Sequence, residues 1–385
     1  MVKVDKLFFE LLQIALGNRG ELSRVPTAKE WSDLYDESER QAVTGIMVAG
    51  LERLKNNLDV NLNLDYTTNL DQLLLLQWIG ISEQIRQGNL SLTKRCKELQ
   101  QKVRNLGCNS SILKGQGVAL YYDEPLRDLR QSGDVDIFVD CGLEEALVKV
   151  KGYGLEVKGW DYKHLHLNIW DDTEVEMHYR VEVLLNLWKN RKLQKWFAEH
   201  REAIFGNLNS NDNLNGMVTP TVEFNVFYIL LHIYRHFLYE GVGFRQIIDY
   251  YFVLKNLNDN VDFNSRAHFA TDAVKEFGME RFAKGLMWVM HEALGMPQEW
   301  MLWEPDEKEG RYILEQVMTG GNFGHHDKRL KHSGGKLGAV KAILTHNLHL
   351  LTHYPSDVIW APVWIVWHKL WKMWIQFKGL KVQGV

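Results

Sequence analysis

Apolar residues recur at helical spacing through residues 1–106, where Leu, Gln, Glu and Lys predominate and Gly and Pro are sparse, so several packed helices are predicted there. The first is amphipathic. Glu10 interrupts the apolar run around Leu7, Phe8 and Phe9, and no small-residue cleavage site follows, which argues against a signal peptide. The last is long, because over 70–106 only Gly80 and Gly88 weaken the pattern before Gly107-Cys108-Asn109 stops it and a short strand begins at Ser111-Ile112-Leu113. The period then changes. Residues 135–140, 155–158, 164–170 and 174–179 read as strands, with helices near 117–122 and 143–150, which makes a small α/β layer. After about Val181 helical periodicity returns, strongest over 222–254. The pattern therefore predicts a helical region over 1–106, an α/β core over 107–182 and a second helical region over 183–385, without internal repeats.

Composition adds limits to this picture. A chain of 385 residues, 45% apolar and 24% charged, is long enough for two or three domains with a substantial core. Its formal charge of −4 argues against coating nucleic acid through bulk positive charge. Cys96, Cys108 and Cys141 lack metal-ligand spacing and are too few and scattered for a disulfide framework, so a reducing, cytoplasmic setting is expected.

The chemistry concentrates in Leu113-Lys114-Gly115 and in Arg130-Gln131-Ser132-Gly133-Asp134-Val135-Asp136. Strand alternation points Asp134 and Asp136 to one face, and adjacent carboxylates are costly unless a cation, a proton or several donors compensate them. Two magnesium ions suit the pair, because Mg2+ takes oxygen ligands and keeps positions for substrate phosphates. A third carboxylate would help, and Glu176 is the candidate: alternation puts Glu174, Glu176 and His178 on one face of their strand. On the phosphate side, Lys114-Gly115 ends a strand and opens a helix, while Arg130 and Ser132 add a guanidinium fork and a hydroxyl. Arg127 is expected to make a surface ion pair instead.

These residues resemble the nucleotidyltransferase superfamily that includes DNA polymerase β, and within it the uncharacterised bacterial nucleotidyltransferases with a Leu-Lys-Gly, Arg-x-Ser-x-Asp-hydrophobic-Asp signature. The matching residues are Leu113, Lys114 and Gly115, then Arg130, Ser132, Asp134 and Asp136, then Val175-Glu176-Met177-His178-Tyr179. His232, His236, Arg245, Ile248 and Asp249 are similar to the family's helical portion, and Gly321-Asn322-Phe323-Gly324 more loosely so. The resemblance implies an α+β fold, a small mixed-sheet core flanked by N- and C-terminal helical regions. It also implies transfer of a nucleoside monophosphate from an NTP such as ATP to an acceptor that it does not name. Asp134, Asp136 and Glu176 would bind the metal, and Lys114, Gly115 and Ser132 would meet the nucleotide phosphates. The chain departs from many superfamily members in having Gln116 directly after Gly115, and its gap from Gly115 to Asp134 is longer than in the most compact members.

Five further side chains, His164, His166, His178, His232 and Asp249, are candidates for an acceptor pocket. Clustered imidazoles also suit zinc, which leaves a zinc-dependent hydrolase as a second reading. A third is a member of the same fold that binds nucleotide or a partner without turnover. The basic, glycine-containing stretch 320–341 reads as a mobile loop without Walker spacing. Near the end, Trp360, Trp364, Trp367, Trp371 and Trp374 recur at steps of four and three beside Lys369, Lys372, Lys378 and Lys381. That helix is too short in apolar residues to span a bilayer. Packing against the rest of the protein or against a second copy is preferred for it over contact with a membrane surface.

Overall fold

The computed structural model describes residues 3–57, 65–206, 216–259, 263–324 and 350–377. Most of the predicted 320–341 loop, and Lys378 and Lys381, lie outside the described residues. Helices α1 (Lys3–Leu16), α2 (Ala28–Arg40), α3 (Thr44–Asn57) and α4 (Gln72–Asn105) precede β1 (Ser110–Ile112), α5 (Gln116–Ala119), α6 (Leu126–Leu129) and β2 (Val135–Val139). Then come α7 (Leu143–Gly152), β3 (Glu156–Trp160), β4 (His164–Trp170) and β5 (Thr173–His178). The remaining helices are α8 (Leu187–Glu199), α9 (Arg201–Ile204), α10 (Val222–Tyr239), α11 (Phe244–Asn258), α12 (Phe263–Glu276), α13 (Glu280–Leu294), α14 (Glu307–Gly320), α15 (Pro355–Val358) and α16 (Trp360–Phe377). The fold is α+β, with a five-stranded mixed sheet and flanking helices.

The chain divides into two compact units, each drawn from three stretches: Met1–Ser91, Tyr121–Ser132 and Tyr239–Asp327 in the first, and Leu92–Leu120, Gly133–Leu238 and Lys328–Val385 in the second. In the first unit α1 turns its apolar face inward, and Phe8 and Phe9 meet Phe244 at ring centroid distances of 5.7 and 5.5 Å. Helix α2 starts at a capping box, in which Glu30 N–H donates to Thr27 Oγ1 and Thr27 N–H donates to Glu30 Oε2. Its Trp31 and Tyr35 pack edge-on against Trp78 of α4. The periodic stretch 222–254 is two helices, because Gly241, at φ 111, breaks it with a backbone conformation that other residues rarely adopt.

The second unit is built on the sheet, ordered β1-β2-β5-β4-β3. Strand β2 runs parallel to β5, and the other neighbours are antiparallel. Period-2 alternation sends Val135, Ile137 and Val139 with Val175, Met177, Leu165 and Leu167 into one core, which also holds Leu92, Cys96 and Leu99 of α4. The polar side chains of the same strands are left on the opposite face. The cysteines are less scattered than the sequence suggests: β1 pairs Ser110 with Val139, which brings Cys108 and Cys141, just beyond the ends of that pairing, to an Sγ–Sγ distance of 3.5 Å as free thiols. In α16, Trp364, Trp367 and Trp371 stand edge-on around Tyr162, at 5.3, 4.9 and 4.9 Å, so that part of the aromatic stripe packs internally. Val363, Val366, Leu370, Met373 and Phe377 of the same helix are exposed. No helix among the described residues is long and apolar enough to cross a membrane.

Candidate active site on the sheet face

Register decides which polar groups meet. Parallel pairing sets Asp136 of β2 opposite Glu176 of β5, and antiparallel pairing sets His166 opposite Glu176 and His164 opposite His178. Since opposed residues share a face, these pairings gather the carboxylates of Asp136 and Glu176 and three imidazoles on one side of the sheet. Asp136, Glu176 and His178 bring their ligand atoms within 4.8 Å of one another. Asp134 lies one pleat earlier, just ahead of β2, half-buried. Lys114 follows β1 and is held near by a backbone bond from Leu113 N–H to Asp136 C=O, 3.0 Å.

The pair is compensated within the protein. Lys114 Nζ donates to Asp136 Oδ1 at 2.7 Å, and His178 Nε2 lies 2.9 Å from the same oxygen and 3.2 Å from Glu176 Oε2. Burial pushes the Asp136 carboxyl up, but Lys114 and then the His178 hydrogen bond outweigh it and hold the group at about 2. Glu176 is likewise lowered against its burial, first by the His178 hydrogen bond and then by the Lys114 charge. Burial lowers His178, yet its bonds to Asp136 and Glu176 raise it above the ordinary imidazole value. His164 goes the other way, to about 4, through burial and the neighbouring His178. The result is a charged pair with its counter-charges already in contact.

The phosphate side differs from expectation in one respect. The helix opened by Gly115 is the single turn α5, whose dipole is slight, so the local positive charge is the Lys114 ammonium. Gly115 itself has φ 52, in the region where a side chain is strained. Gln116 is buried and accepts a hydrogen bond from Thr93 Oγ1 at 3.1 Å.

Arg130, Ser132 and Asp249 belong to the first unit. There the Arg130 fork grips Asp249, with Nε 2.6 Å from Oδ1 and Nη2 2.7 Å from Oδ2, while Nη1 donates to Ser132 Oγ at 2.6 Å. Tyr122 donates to the same Asp249 at 2.7 Å. Arg127 pairs with Glu124 at 2.9 Å, as expected of a surface ion pair. His232 belongs to the second unit, where its Nδ1 is 3.1 Å from Glu182 Oε2. Lys163 Nζ and Arg235 Nε each lie 3.3 Å from Glu182 Oε1. Sequence reading missed this cluster, because a turn and a strand exit contribute one residue each and a helix two, and no local period links them.

No curated protein and no solved structure matches the chain. Residues 27–295, more than half of the chain, match the model of an uncharacterised nucleotidyltransferase family. The match includes both motif strands and the helices around them, and the chain belongs to that family.

Proposed function

We propose that the sheet face of the second unit transfers a nucleoside monophosphate from an NTP to an acceptor hydroxyl or similar group, breaking the bond between the α-phosphorus and the bridging oxygen and releasing pyrophosphate, with Asp134, Asp136 and Glu176 as the carboxylates that hold two Mg2+ ions. One observation carries the reading: two carboxylates from parallel neighbouring strands, paired in register on one face, with a lysine on one of them. The donor chemistry fits, because carboxylate oxygens are the ligands that magnesium prefers. When bound, the ions supply charge stabilisation at the reacting phosphate and lower the pKa of the attacking group.

The protein's own groups then divide the work. Lys114 exchanges Asp136 for a phosphate oxygen of the NTP, since an ammonium on a flexible stem can turn between two anions a few ångströms apart. Gly115 keeps the approach to the backbone open. His178 is a positioning residue: with one nitrogen shared between Asp136 and Glu176, it fixes the orientation of both. Ser132 and Arg130 are assigned to the nucleotide on the motif alone, and the Asp249 fork suggests that Arg130 acts by holding Ser132. His164, His166 and His232 are assigned to the acceptor side, where His166, a third exposed, is the group open to solvent, while Asp249 is engaged by Arg130 within the first unit.

Labelled NTP tests the reaction class. Incubated with Mg2+ and a cell extract, the protein is expected to pass label from α-³²P NTP, and not from γ-³²P NTP, to an acceptor. Transfer of γ label instead would make it a phosphoryl transferase and overturn the assignment.

A further inference from the structure

Beyond nucleotidyl transfer, we propose that His164, His166 and Glu176 form a binding site for a zinc-class divalent ion on the same sheet face. Their ligand atoms converge within 4.8 Å. His164 Nε2 is 3.1 Å from His166 Nε2 and 3.3 Å from Glu176 Oε1. Two ligands about 2.0–2.1 Å from a common ion at tetrahedral angles stand roughly 3.3–3.4 Å apart, so these separations are close to the edges of a zinc tetrahedron.

Hydrogen bonding among the three groups accounts for the arrangement less well. His166 Nδ1 faces Glu174 Oε1 at 3.3 Å, and a proton donated there leaves the Nε2 lone pair turned toward His164. A single proton on His164 Nε2 could reach His166 and Glu176 only as a weak three-centre bond, at 3.1 and 3.3 Å, whereas one cation at the convergence serves all three. The Glu174–His166 contact is the outer carboxylate that commonly fixes the tautomer of a metal-binding imidazole. Asp161 stands further off, 3.6 Å from His164 Nε2, and its Oδ1 accepts the backbone N–H groups of Lys163 and His164. Two imidazoles and one carboxylate make a three-ligand set that leaves a position for a solvent or substrate oxygen. The His166 and Glu174 side chains are 33% and 65% exposed, which gives the ion a way in from solvent.

Glu176 is common to this site and to the proposed magnesium site, but it turns different oxygens to them: Oε1 to His164 and Oε2 to His178. The two sites are therefore separable by mutation.

The test uses the full, untagged chain stripped with chelator and titrated with Co2+ in the presence of millimolar Mg2+, without nucleotide. The expected result is one Co2+ per chain with the intense visible absorption of a four-coordinate ion, displaced by Zn2+. His166→Gln and His164→Gln should each weaken binding by more than the 10–100-fold typical of losing an outer-shell partner. Asp136→Asn should keep the absorption. If His164→Gln fails to fold, as judged by circular dichroism, the more exposed His166→Gln decides. Binding that survives His166→Gln, binding lost in folded Asp136→Asn, or no Co2+ uptake over Mg2+ would each overturn the site. Because no NTP is present, any of these results stands apart from the outcome of the label-transfer assay.

Discussion

Lys163, Arg235 and His232 all turn to one carboxylate, Glu182, which is wholly buried. Burial pushes that carboxyl up, and Lys163 and Arg235 overcome it and hold it well below its ordinary value of 4.5. Such a group contributes stability that is present above pH 4.5 and is lost as the pH falls through the lower folded value. Glu182→Gln leaves two cations facing a neutral amide, and breaking a buried pair in this way costs about 3–5 kcal/mol. Urea unfolding at neutral pH should show that loss, and a series below pH 4.5 should show a shallower acid dependence in the variant than in wild type. Equal stability at neutral pH would mean that Glu182 is not the centre of the cluster. None of this was legible locally. Glu182 and Arg235 are separated by 53 positions, and Arg130 and Asp249 by 119, so the pairings exist only once the chain has folded. Asp136, Glu176 and His178 were legible only within their own strands, because alternation assigns a face of each strand, while the parallel pairing that makes the two faces one came only with the fold.

At the scale of elements, strands were read more faithfully than helix ends. The stretch 164–170 coincides with β4, since its alternating pattern is bounded by polar turns, whereas 222–254 contains a break that periodicity alone does not register. The predicted helix 117–122 is only the turn Gln116–Ala119, which has too few residues to develop a dipole. Helix α16 was legible as an aromatic stripe, but its receptor was not: Tyr162, in the turn between β3 and β4, collects Trp364, Trp367 and Trp371 and also carries Arg180 over its ring at 3.9 Å. Edge-on aromatic pairs contribute about 0.5–1.5 kcal/mol each beyond their buried area. Tyr162→Ala should therefore cost about 2–3 kcal/mol and loosen the helix. Tryptophan emission would shift to the red before the main thermal transition. A single transition with unchanged emission would show that the helix is held by other contacts.

At the scale of the whole molecule, each compact unit is assembled from three separate stretches of chain, an arrangement that hydrophobic periodicity cannot report because it reads only neighbours in sequence. The family match over 27–295 takes in stretches of both units, so the family's sequence signature and its compact bodies are not the same divisions. What the sequence does carry is the pair of strands that set Asp136 opposite Glu176. The central claim is that carboxylates set opposite one another on β2 and β5 perform nucleotidyl transfer, and Asp136→Asn and Glu176→Gln, which remove charge with little change in volume, test it most directly. With circular dichroism and melting confirming that each variant is folded, both should lower α-³²P transfer from NTP by about a thousandfold or more, the loss of roughly 4 kcal/mol of transition-state stabilisation. Folded variants that label an acceptor as fast as wild type would contradict the account.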